Sequence, residues 1–344
     1  MNKLKNALWS ARNAVKGFFG RIRDFLVDHK LGFLVNWPRW FKAVVYLSPA
    51  MILLGIFTFY PIVNAFRLVV YEGYNSADGS ITGYTLFGNF INVITEDNFI
   101  FPSSHTASSV MINTLVIVFV SVPLSMIIAL LIATALNSIK PLKGFFQTVY
   151  FLPYVTNAIA IGLVFAYMFR SGSAGLVNKM LGVFGVDPVI WVERGATYWK
   201  AMFVLILYGI WAALAFKIMV FLTSIQGIDK QYYQAAAIDG TPKSRIFSKI
   251  TVPLISPMIF YILITSVIGA FKTYNSVIAI FGNTGTPAGA TFTLKTIVFY
   301  IYDYLNNATP GNLSLAAASS IVLFAIILLL TLVQMQVGKK RVHY

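Results

Sequence analysis

Residues 232–257 of the chain read YYQAAAIDGTPKSRIFSKITVPLISP, a polar stretch between two long apolar runs. The three alanines that follow Gln234 are small enough for another protein surface to approach closely. Gly240 can adopt a positive φ and turn the chain, and Pro242 suits the first turn of a following helix. The stretch therefore predicts two short helices that meet at Gly240 and form an L-shaped projection from a membrane protein.

The second arm of this projection, residues 243–250, separates apolar from polar side chains. Its apolar side consists of Ile246, Phe247 and Ile250, and its polar positions are Lys243, Arg245, Ser248 and Lys249. This pattern predicts that the second arm lies along its own membrane domain.

The composition of the whole chain is that of a polytopic membrane protein. Of its 344 residues, 58% are hydrophobic and 11% are charged, whereas soluble domains carry about 25% charged residues. The formal charge of +15 is better explained by the Lys and Arg residues that orient a membrane protein than by nucleic acid binding. We therefore expect no nucleic acid partner. The chain contains no Cys, and its three His residues are far apart in the sequence. The sequence therefore predicts no metal site.

Six stretches are long and apolar enough to cross the hydrocarbon core as helices of about 20 residues. They are residues 43–66, 110–136, 145–169, 201–223, 258–280 and 313–337. The fourth stretch contains a single lysine, Lys217, and the fifth contains Lys272. Prolines within the first three stretches are expected to kink the helices or mark their ends. They are Pro49, Pro61, Pro123 and Pro153. The predicted fold is all-α, with six transmembrane helices.

Lysine and arginine near the ends of the spans predict the orientation, because they collect on the cytoplasmic side. Nine of them precede the first span, others follow spans two, four and six, and residues 72–109 contain none. Both termini are therefore predicted to be cytoplasmic. The chain divides into a basic segment 1–42, a transmembrane domain 43–337 that includes a loop over 225–257, and a short basic tail 338–344.

Three segments outside the spans have patterns of their own. Residues 1–36 alternate apolar and basic side chains at helical spacing, which predicts an amphipathic helix in contact with membrane lipid; a partly disordered basic tail is the alternative. Residues 172–199 predict a short helix and a turn. Residues 281–312 predict a Gly-rich turn followed by a helix over 294–304, in a re-entrant or interfacial element.

The loop over 232–257 resembles the EAA loop of the integral membrane subunits of binding-protein-dependent ABC importers. The order of its features carries the resemblance, since QAAAIDG is followed by Phe247, Ile250, Pro253 and Pro257. Further segments match in order: YFLPY at 150–154, GLVN at 175–178, Ile210-Trp211, FLTSIQGI at 221–228, and residues 271–287. From about residue 43 to residue 337, the chain is similar to the first permease subunit of maltose-transporter-type sugar importers.

This resemblance implies the type I ABC importer transmembrane domain, forming half of a translocation pathway for a sugar or oligosaccharide in a prokaryotic cell membrane. The implied partners are a second permease subunit in a heterodimer, two ATPase subunits that grip the loop, and an extracellular or periplasmic solute-binding protein. The chain has no G-x-x-x-x-G-K-[ST] phosphate loop. ATP and magnesium are therefore expected on the partner ATPase, and this subunit is expected to be non-catalytic, with no cofactor of its own.

The ATPase-coupling residues implied by the resemblance are Gln234, Ala235, Ala236, Asp239 and Gly240. The family usually has Glu at the position of Gln234, where the carboxylate faces a basic group on the ATPase. Because a charge-assisted hydrogen bond is roughly twice as strong as a neutral one, Gln234 puts the strength of coupling in doubt. Asp239 and Gly240 match the family.

The candidates for the substrate pathway are aromatic, amide and basic side chains of spans three to five: Tyr154, Asn157, Tyr208, Trp211, Lys272, Tyr274 and Asn275. Sugars need flat aromatic faces and hydrogen-bonding partners, and the family's first subunit lines its sugar site with the segment that contains Lys272. Ordinary helix packing is the alternative for these residues. Lys272 leaves open a charged substrate such as a uronate, and Lys217 is expected to snorkel to the cytoplasmic interface.

Other functions remain as alternatives. Within the family, an importer of glycerol phosphate, an amino acid or another small solute is the nearest one. An ion-coupled secondary carrier would need intramembrane Asp, Glu or His, and none of the six predicted spans contains one. A polytopic membrane enzyme would need a clustered catalytic set, which the sequence does not offer.

Overall fold

The computed structural model describes residues 17, 20, 21, 37–96, 98–102, 108–139, 143–307 and 309–341. The predicted amphipathic helix over 1–36 lies almost entirely outside these residues, as does the end of the predicted basic tail. The chain forms two compact units, Met1–Asn64 and Ala65–Tyr344. The first contains most of α1 (Arg39–Leu68), a helix of 30 residues, which at 1.5 Å per residue is long enough to cross a bilayer.

The second unit is helical apart from one short hairpin in its described part. Its elements are β1 (Tyr71–Glu72), β2 (Gly83–Tyr84), α2 (Gly88–Thr95), α3 (Val110–Ser138), α4 (Lys143–Val155), α5 (Ala158–Met168), α6 (Leu176–Val183), α7 (Tyr198–Gln226), α8 (Lys230–Ile238), α9 (Lys243–Leu254), α10 (Ser256–Phe271), α11 (Asn275–Phe281), α12 (Ile297–Asn306) and α13 (Asn312–Arg341). The hairpin is antiparallel, with Tyr71 opposite Tyr84. The predicted all-α fold is confirmed.

Four described helices are long and apolar enough to cross a membrane: α1, α3, α7 and α13. They correspond to the first, second, fourth and sixth predicted spans. The prediction of a continuous third span over 145–169 and a continuous fifth span over 258–280 is wrong, because both are broken. A fifth crossing is available if α9 and α10, which meet at an angle of 68°, are counted as one bent span.

The third span breaks at Asn157, between α4 and α5. The Asn157 side chain accepts hydrogen bonds from the backbone N–H groups of Ile159 and Ala160, at 2.9 and 3.2 Å. An amide side chain in this position caps a new helix rather than continuing the old one. The Tyr208 hydroxyl on α7 donates to the Ala158 carbonyl at 2.8 Å, so α5 begins against α7.

The fifth span breaks over residues 272–274, between α10 and α11. The Thr296 hydroxyl donates to the Thr273 carbonyl, so a backbone group freed by the break is satisfied from another segment. Gly162 of α5 packs so tightly against Ala279 of α11 that a Cβ on the glycine would overlap the alanine methyl. The two broken spans therefore meet through their second halves, α5 and α11.

Among the described residues, three helices widen into a π-helical turn that ends two residues before a proline. The turns are Gly55–Phe59 before Pro61, Ile117–Ser121 before Pro123, and Phe247–Thr251 before Pro253. Proline has no N–H and its ring clashes with the carbonyl four residues earlier, and a wider turn relieves that clash. Pro61 and Pro123 therefore distort the helices without ending them, whereas Pro153 lies two residues before the end of α4.

Helix α7 runs parallel to α3 through the middle of the second unit. Near their N-termini, the Tyr198 hydroxyl donates to the Asn113 side chain at 3.0 Å, and farther along both helices Lys217 donates to Ser125. Asn113 also donates to the carbonyls of Thr293 and Lys295. The N-terminal ends of α3 and α7 are thus fixed to the segment before α12, and the C-terminal end of α7 leads into the loop over 225–257.

Candidate functional site

The loop over 225–257, called the coupling loop below, contains the two short helices predicted from its sequence. The Asp229 side chain caps α8 by accepting a hydrogen bond from the Gln231 backbone at 2.9 Å. Helix α8 stops at Ile238, and Gly240 then turns the chain with a φ of +64°. Pro242 lies one position before the first residue of α9, as its N-cap. The glycine turn is therefore confirmed, and the proline sits one residue earlier than expected.

The predicted coupling residues do not all face outward. Gln234, Ala235, Asp239 and Gly240 are exposed, whereas Ala236 retains 6% of its accessible surface. Ala236 therefore packs within its own chain, and its small size serves that packing. Ile238, which the sequence did not single out, is 87% exposed. A large apolar side chain in that position favours a protein contact at the tip of the loop.

The second arm of the coupling loop lies along the domain as predicted. Ile246, Phe247 and Ile250 are half-buried, and its polar positions are exposed: Lys243, Arg245, Ser248 and Lys249. The Tyr233 hydroxyl lies 3.2 Å from the Thr251 hydroxyl and so links α8 to the end of the π-helical turn in α9. The arm then continues through buried Ile255 into α10. The coupling loop is thus joined directly to two membrane helices, α7 and α10.

A cavity of about 530 Å³ lies between α3, α7, α10 and the two helix breaks. Its lining includes Ser121, Ser125, Tyr154, Ala158, Tyr208, Gly209, Ala212, Ala213, Phe216, Lys217, Thr265, Ser266, Gly269, Lys272, Thr273, Tyr274, Asn275 and Ser276. Glycine and alanine on α7 and α10 leave the space open. Small-molecule sites typically enclose about 300–1,000 Å³, so the cavity has the size of a solute-binding site.

Five of the seven candidates for the substrate pathway line this cavity: Tyr154, Tyr208, Lys272, Tyr274 and Asn275. The other two do not. Asn157 is occupied as the cap of α5, and Trp211 packs against Phe165, with ring centroids 5.6 Å apart. Helix capping therefore accounts for Asn157 and packing for Trp211, and the role of the other five stays a prediction.

The prediction that Lys217 snorkels to the interface is wrong. Lys217 retains 4% of its accessible surface, and its ammonium donates to the Ser125 hydroxyl at 2.5 Å. A lysine in mid-membrane costs about 2.5–3.5 kcal/mol unless it finds water or a partner. Ser125 is such a partner, and the adjacent cavity gives access to water. Lys217 therefore points into the protein instead of toward the membrane surface.

Sequence reasoning missed several polar and aromatic residues of the cavity wall. Ser121 and Ser125 lie four residues apart in an apolar span and therefore share one face of α3. This spacing is the sequence feature from which a polar face of α3 could have been predicted. Phe216 stacks on Tyr154, with ring centroids 6.2 Å apart and an interplanar angle of 21°. The pair presents aromatic surface to the cavity. No sequence signal linked these two rings, because they lie on different helices.

A second cavity, of about 670 Å³, lies at the opposite end of α7 from the coupling loop. In its wall, Glu96 accepts hydrogen bonds from the hydroxyls of Tyr300 and Tyr304, and Lys295 pairs with Asp303. Burial, reinforced by Glu96, raises the pKa of Tyr304 to about 12 and raises the pKa of Tyr300 as well. In this wall Lys295 and Asp303 neutralise each other, and the carboxylate of Glu96 is held by two tyrosine hydroxyls. In the part of the chain that the structure describes, no cluster of His, Asp or Glu could hold a metal ion.

The chain matches a family of membrane transport proteins and is similar to permeases of known transport systems. Residues 121–342 match the family model described as binding-protein-dependent transport system inner membrane component. The lactose transport system permease protein LacF of Rhizobium radiobacter is 29% identical over 300 residues, covering 86% of this chain and 94% of the relative. The sn-glycerol-3-phosphate transport system permease protein UgpA of Agrobacterium fabrum is 29% identical over 315 residues, covering 90% and 99%.

The fold is also similar to that of a solved structure. A chain of the bacterial alginate ABC transporter, crystallised in complex with an alginate pentasaccharide-bound periplasmic protein, superposes with a TM-score of 0.71 at 23% identity. The match covers 92% of this chain and 97% of that chain. At this identity the likeness establishes a shared fold.

Proposed function

Because this chain belongs to the family of binding-protein-dependent transport system inner membrane components, we propose that it is the permease subunit of an ATP-driven ABC importer for a sugar or oligosaccharide. The observation that carries the proposal is a pair of features on α7, one at its C-terminal end and one along its middle. An exposed two-helix loop follows its C-terminus, and a cavity of solute size lies beside its middle. The chain is a multi-pass membrane protein with no phosphate loop of its own.

The mechanism follows from the connection between these features. Helices α7 and α10 flank the coupling loop, and both also line the cavity. When the partner ATPases close on ATP, a pull on the loop would move both helices and change which end of the cavity is open. This is alternating access driven by a partner. ATP and magnesium would be held by the ATPase, and this chain would transmit its motion.

The proposed assembly contains two permeases and two ATPases. A second permease subunit would complete the wall of the cavity as a heterodimer partner, and each permease would contact one ATPase through its own loop. Gln234, Ala235 and Asp239 are exposed on the coupling loop and would form that contact around the turn at Gly240. With the loop on the cytoplasmic side, both termini would also be cytoplasmic, in a prokaryotic cell membrane.

An external solute-binding protein would deliver the sugar at the opposite end of α7. The alginate transporter, whose fold this chain shares, was crystallised with a sugar-bound periplasmic protein, which supports such a partner here. LacF is named for lactose transport and UgpA for glycerol-3-phosphate transport. A glycerol-phosphate importer is the alternative, and the two lysines in the cavity wall are the observation that favours it.

Affinity co-purification of the detergent-solubilised protein from its native host tests the proposal. We expect a second permease and an ATPase to accompany it, with ATPase activity that depends on the coupling loop. Substitution Asp239→Ala should reduce the recovered ATPase, and Asp187→Ala, which removes an exposed carboxylate between α6 and α7, should not. A stable, monodisperse protein that carries no ATPase would overturn the proposal.

A further inference from the structure

We propose that the solute that passes through the cavity is an anion, namely a sugar or sugar derivative that carries a carboxylate or a phosphate group. The inference rests on the proposed import function and specifies the substrate class of the same cavity. Its basis is the charge of the wall, where Lys217 and Lys272 are accompanied by no Asp or Glu among the described lining residues.

Lys217 shows the imbalance most clearly. Its ammonium is buried, and a single hydrogen bond, to the neutral hydroxyl of Ser125, is found for its three N–H donors within the described part of the chain. Ser125 in turn donates to backbone carbonyls at the π-helical turn of α3. A buried charge without a counter-charge is unfavourable, and an anion in the cavity would supply that counter-charge.

Lys272 adds a second positive charge to the cavity wall. It follows the last residue of α10, at the break of the fifth span, and its side chain is exposed. The ion pairs among the described residues join Arg170 to Glu193 and Lys295 to Asp303, so neither lysine of the cavity is neutralised within the described chain. Two lysines in the wall of one cavity suit a solute that carries negative charge.

The remaining polar groups of the wall suit the oxygen atoms of a sugar acid or sugar phosphate. The Ser121 hydroxyl is buried at the cavity wall, 6% exposed, and makes no hydrogen bond within the described structure. It lies on the same face of α3 as Ser125, and Asn275 contributes an exposed amide from the other side. The stacked rings of Tyr154 and Phe216 offer an apolar surface for the sugar ring.

A neutral solute would leave the buried ammonium of Lys217 without a counter-charge and would offer none to the exposed Lys272. Charge-assisted hydrogen bonds are about twice as strong as neutral ones, and the low dielectric of the membrane interior increases the difference. The wall therefore selects for negative charge in addition to shape. Either carboxylate or phosphate satisfies the same groups, so the sugar acid and the sugar phosphate have to be distinguished by measurement.

The test compares uptake of charged and neutral solutes by the importer recovered with this subunit, reconstituted in liposomes with its binding protein and internal ATP. The test solutes are digalacturonate against galactobiose, glucose 1-phosphate against glucose, and glycerol 3-phosphate against glycerol. We expect one anion to be taken up at least about tenfold faster than its neutral counterpart. The pair that shows the difference identifies the source of the charge.

Variants then assign the preference to the cavity rather than to the binding protein. Lys217→Met and Lys272→Met should each lower uptake of the anion about tenfold, and Lys217→Arg should restore part of it. Lys200→Met serves as the control, because Lys200 is exposed on α7 and does not line the cavity. If Lys217→Met fails to yield folded protein, Lys272→Met decides, since that side chain is exposed.

Two results would overturn the inference while the import function stands: uptake confined to the neutral solutes, or anion uptake that both methionine variants leave unchanged. Loss of the ATPase from the purified wild-type complex would instead remove the import function, and the inference with it.

Discussion

The cavity and the coupling loop are built in opposite ways. The coupling loop is one continuous run of chain, and its predicted contact residues lie on α8 and in the turn that follows it, where all but Ala236 are exposed. The cavity is assembled from helices that are distant in the sequence, and its polar groups are set among closely packed apolar ones. A change in the loop should therefore act locally, on binding of a partner. A change at the cavity should act through packing, on the stability of the whole unit.

The largest effect is expected where α5 meets α11. Gly162→Ala places a methyl group on Ala279, and overpacking of this kind costs about 1–3 kcal/mol. We expect a clear fall in the melting temperature in detergent. Gly269→Ala is the matched control, because no atom lies within 4 Å of its added Cβ and alanine favours the helix by up to about 1 kcal/mol. Equal stability of the two variants would contradict the close contact.

Gly240→Ala should affect transport rather than global stability, in contrast to Gly162→Ala. No atom lies within 4 Å of a Cβ at this position, so the cost is the left-handed backbone alone, about 1–2 kcal/mol. Because the exposed loop can relieve this local strain by changing its own conformation without unpacking the membrane helices, we expect ATP-driven uptake to fall severalfold while the melting temperature changes little. Gly240→Asn should retain more uptake, since asparagine tolerates a positive φ. A loss of global stability in the alanine variant would show that the loop is not independent of the cavity.

Tyr208→Phe is a smaller test of the cavity side. It removes the hydroxyl that donates to the Ala158 carbonyl at the break of the third span, and the loss of such a bond costs about 1 kcal/mol. Thermal unfolding in detergent should detect it. The control is Tyr167→Phe, on the exposed face of α5, for which we expect no change. A shift of the same size in both variants would remove the special role of the Tyr208 hydroxyl.

The smallest effect is expected from Gln234→Glu, and it is a gain. If the coupling loop meets a basic group on the ATPase, the carboxylate should strengthen that contact by about 1 kcal/mol. Titration of the ATPase subunit against the reconstituted permease measures the change in affinity. Gln231→Glu adds the same charge at the start of α8 and is the control. Weaker binding by the Gln234→Glu variant than by the unaltered chain would indicate an acidic partner surface.

The coupling loop and the four long helices could be predicted from the sequence because their signals are local. Asp229 caps α8, Gly240 ends it, and the continuous spans follow from length and apolarity alone. The two broken spans could not be predicted in this way. Their sequences stay apolar across the breaks, and the groups that compensate for the breaks lie elsewhere in the chain: Tyr208 for the third span and Thr296 for the fifth.

The same limit applies to the charge of the cavity. Lys217 looked like a residue at the membrane surface because its position near the end of an apolar run was all that could be read. Its partner, Ser125, lies 92 residues earlier, and only the parallel packing of α3 and α7 brings the two together. Five of the seven proposed pathway residues nevertheless line one cavity, because polar and ionisable side chains in a membrane span usually face the protein interior or a water-filled space.

The short second halves of the broken spans have a consequence for biogenesis. Helix α5 has 11 residues and α11 has seven, whereas a helix needs about 20 to cross the hydrocarbon core on its own. When α5 leaves the ribosome, the tyrosine that caps its first carbonyl and the alanine that covers Gly162 have not yet been made, and Ala279 follows on the order of ten seconds later. We therefore expect the nascent chain to be held by a membrane insertase until α11 arrives, which photo-crosslinking of stalled chains from a position in α5 would detect.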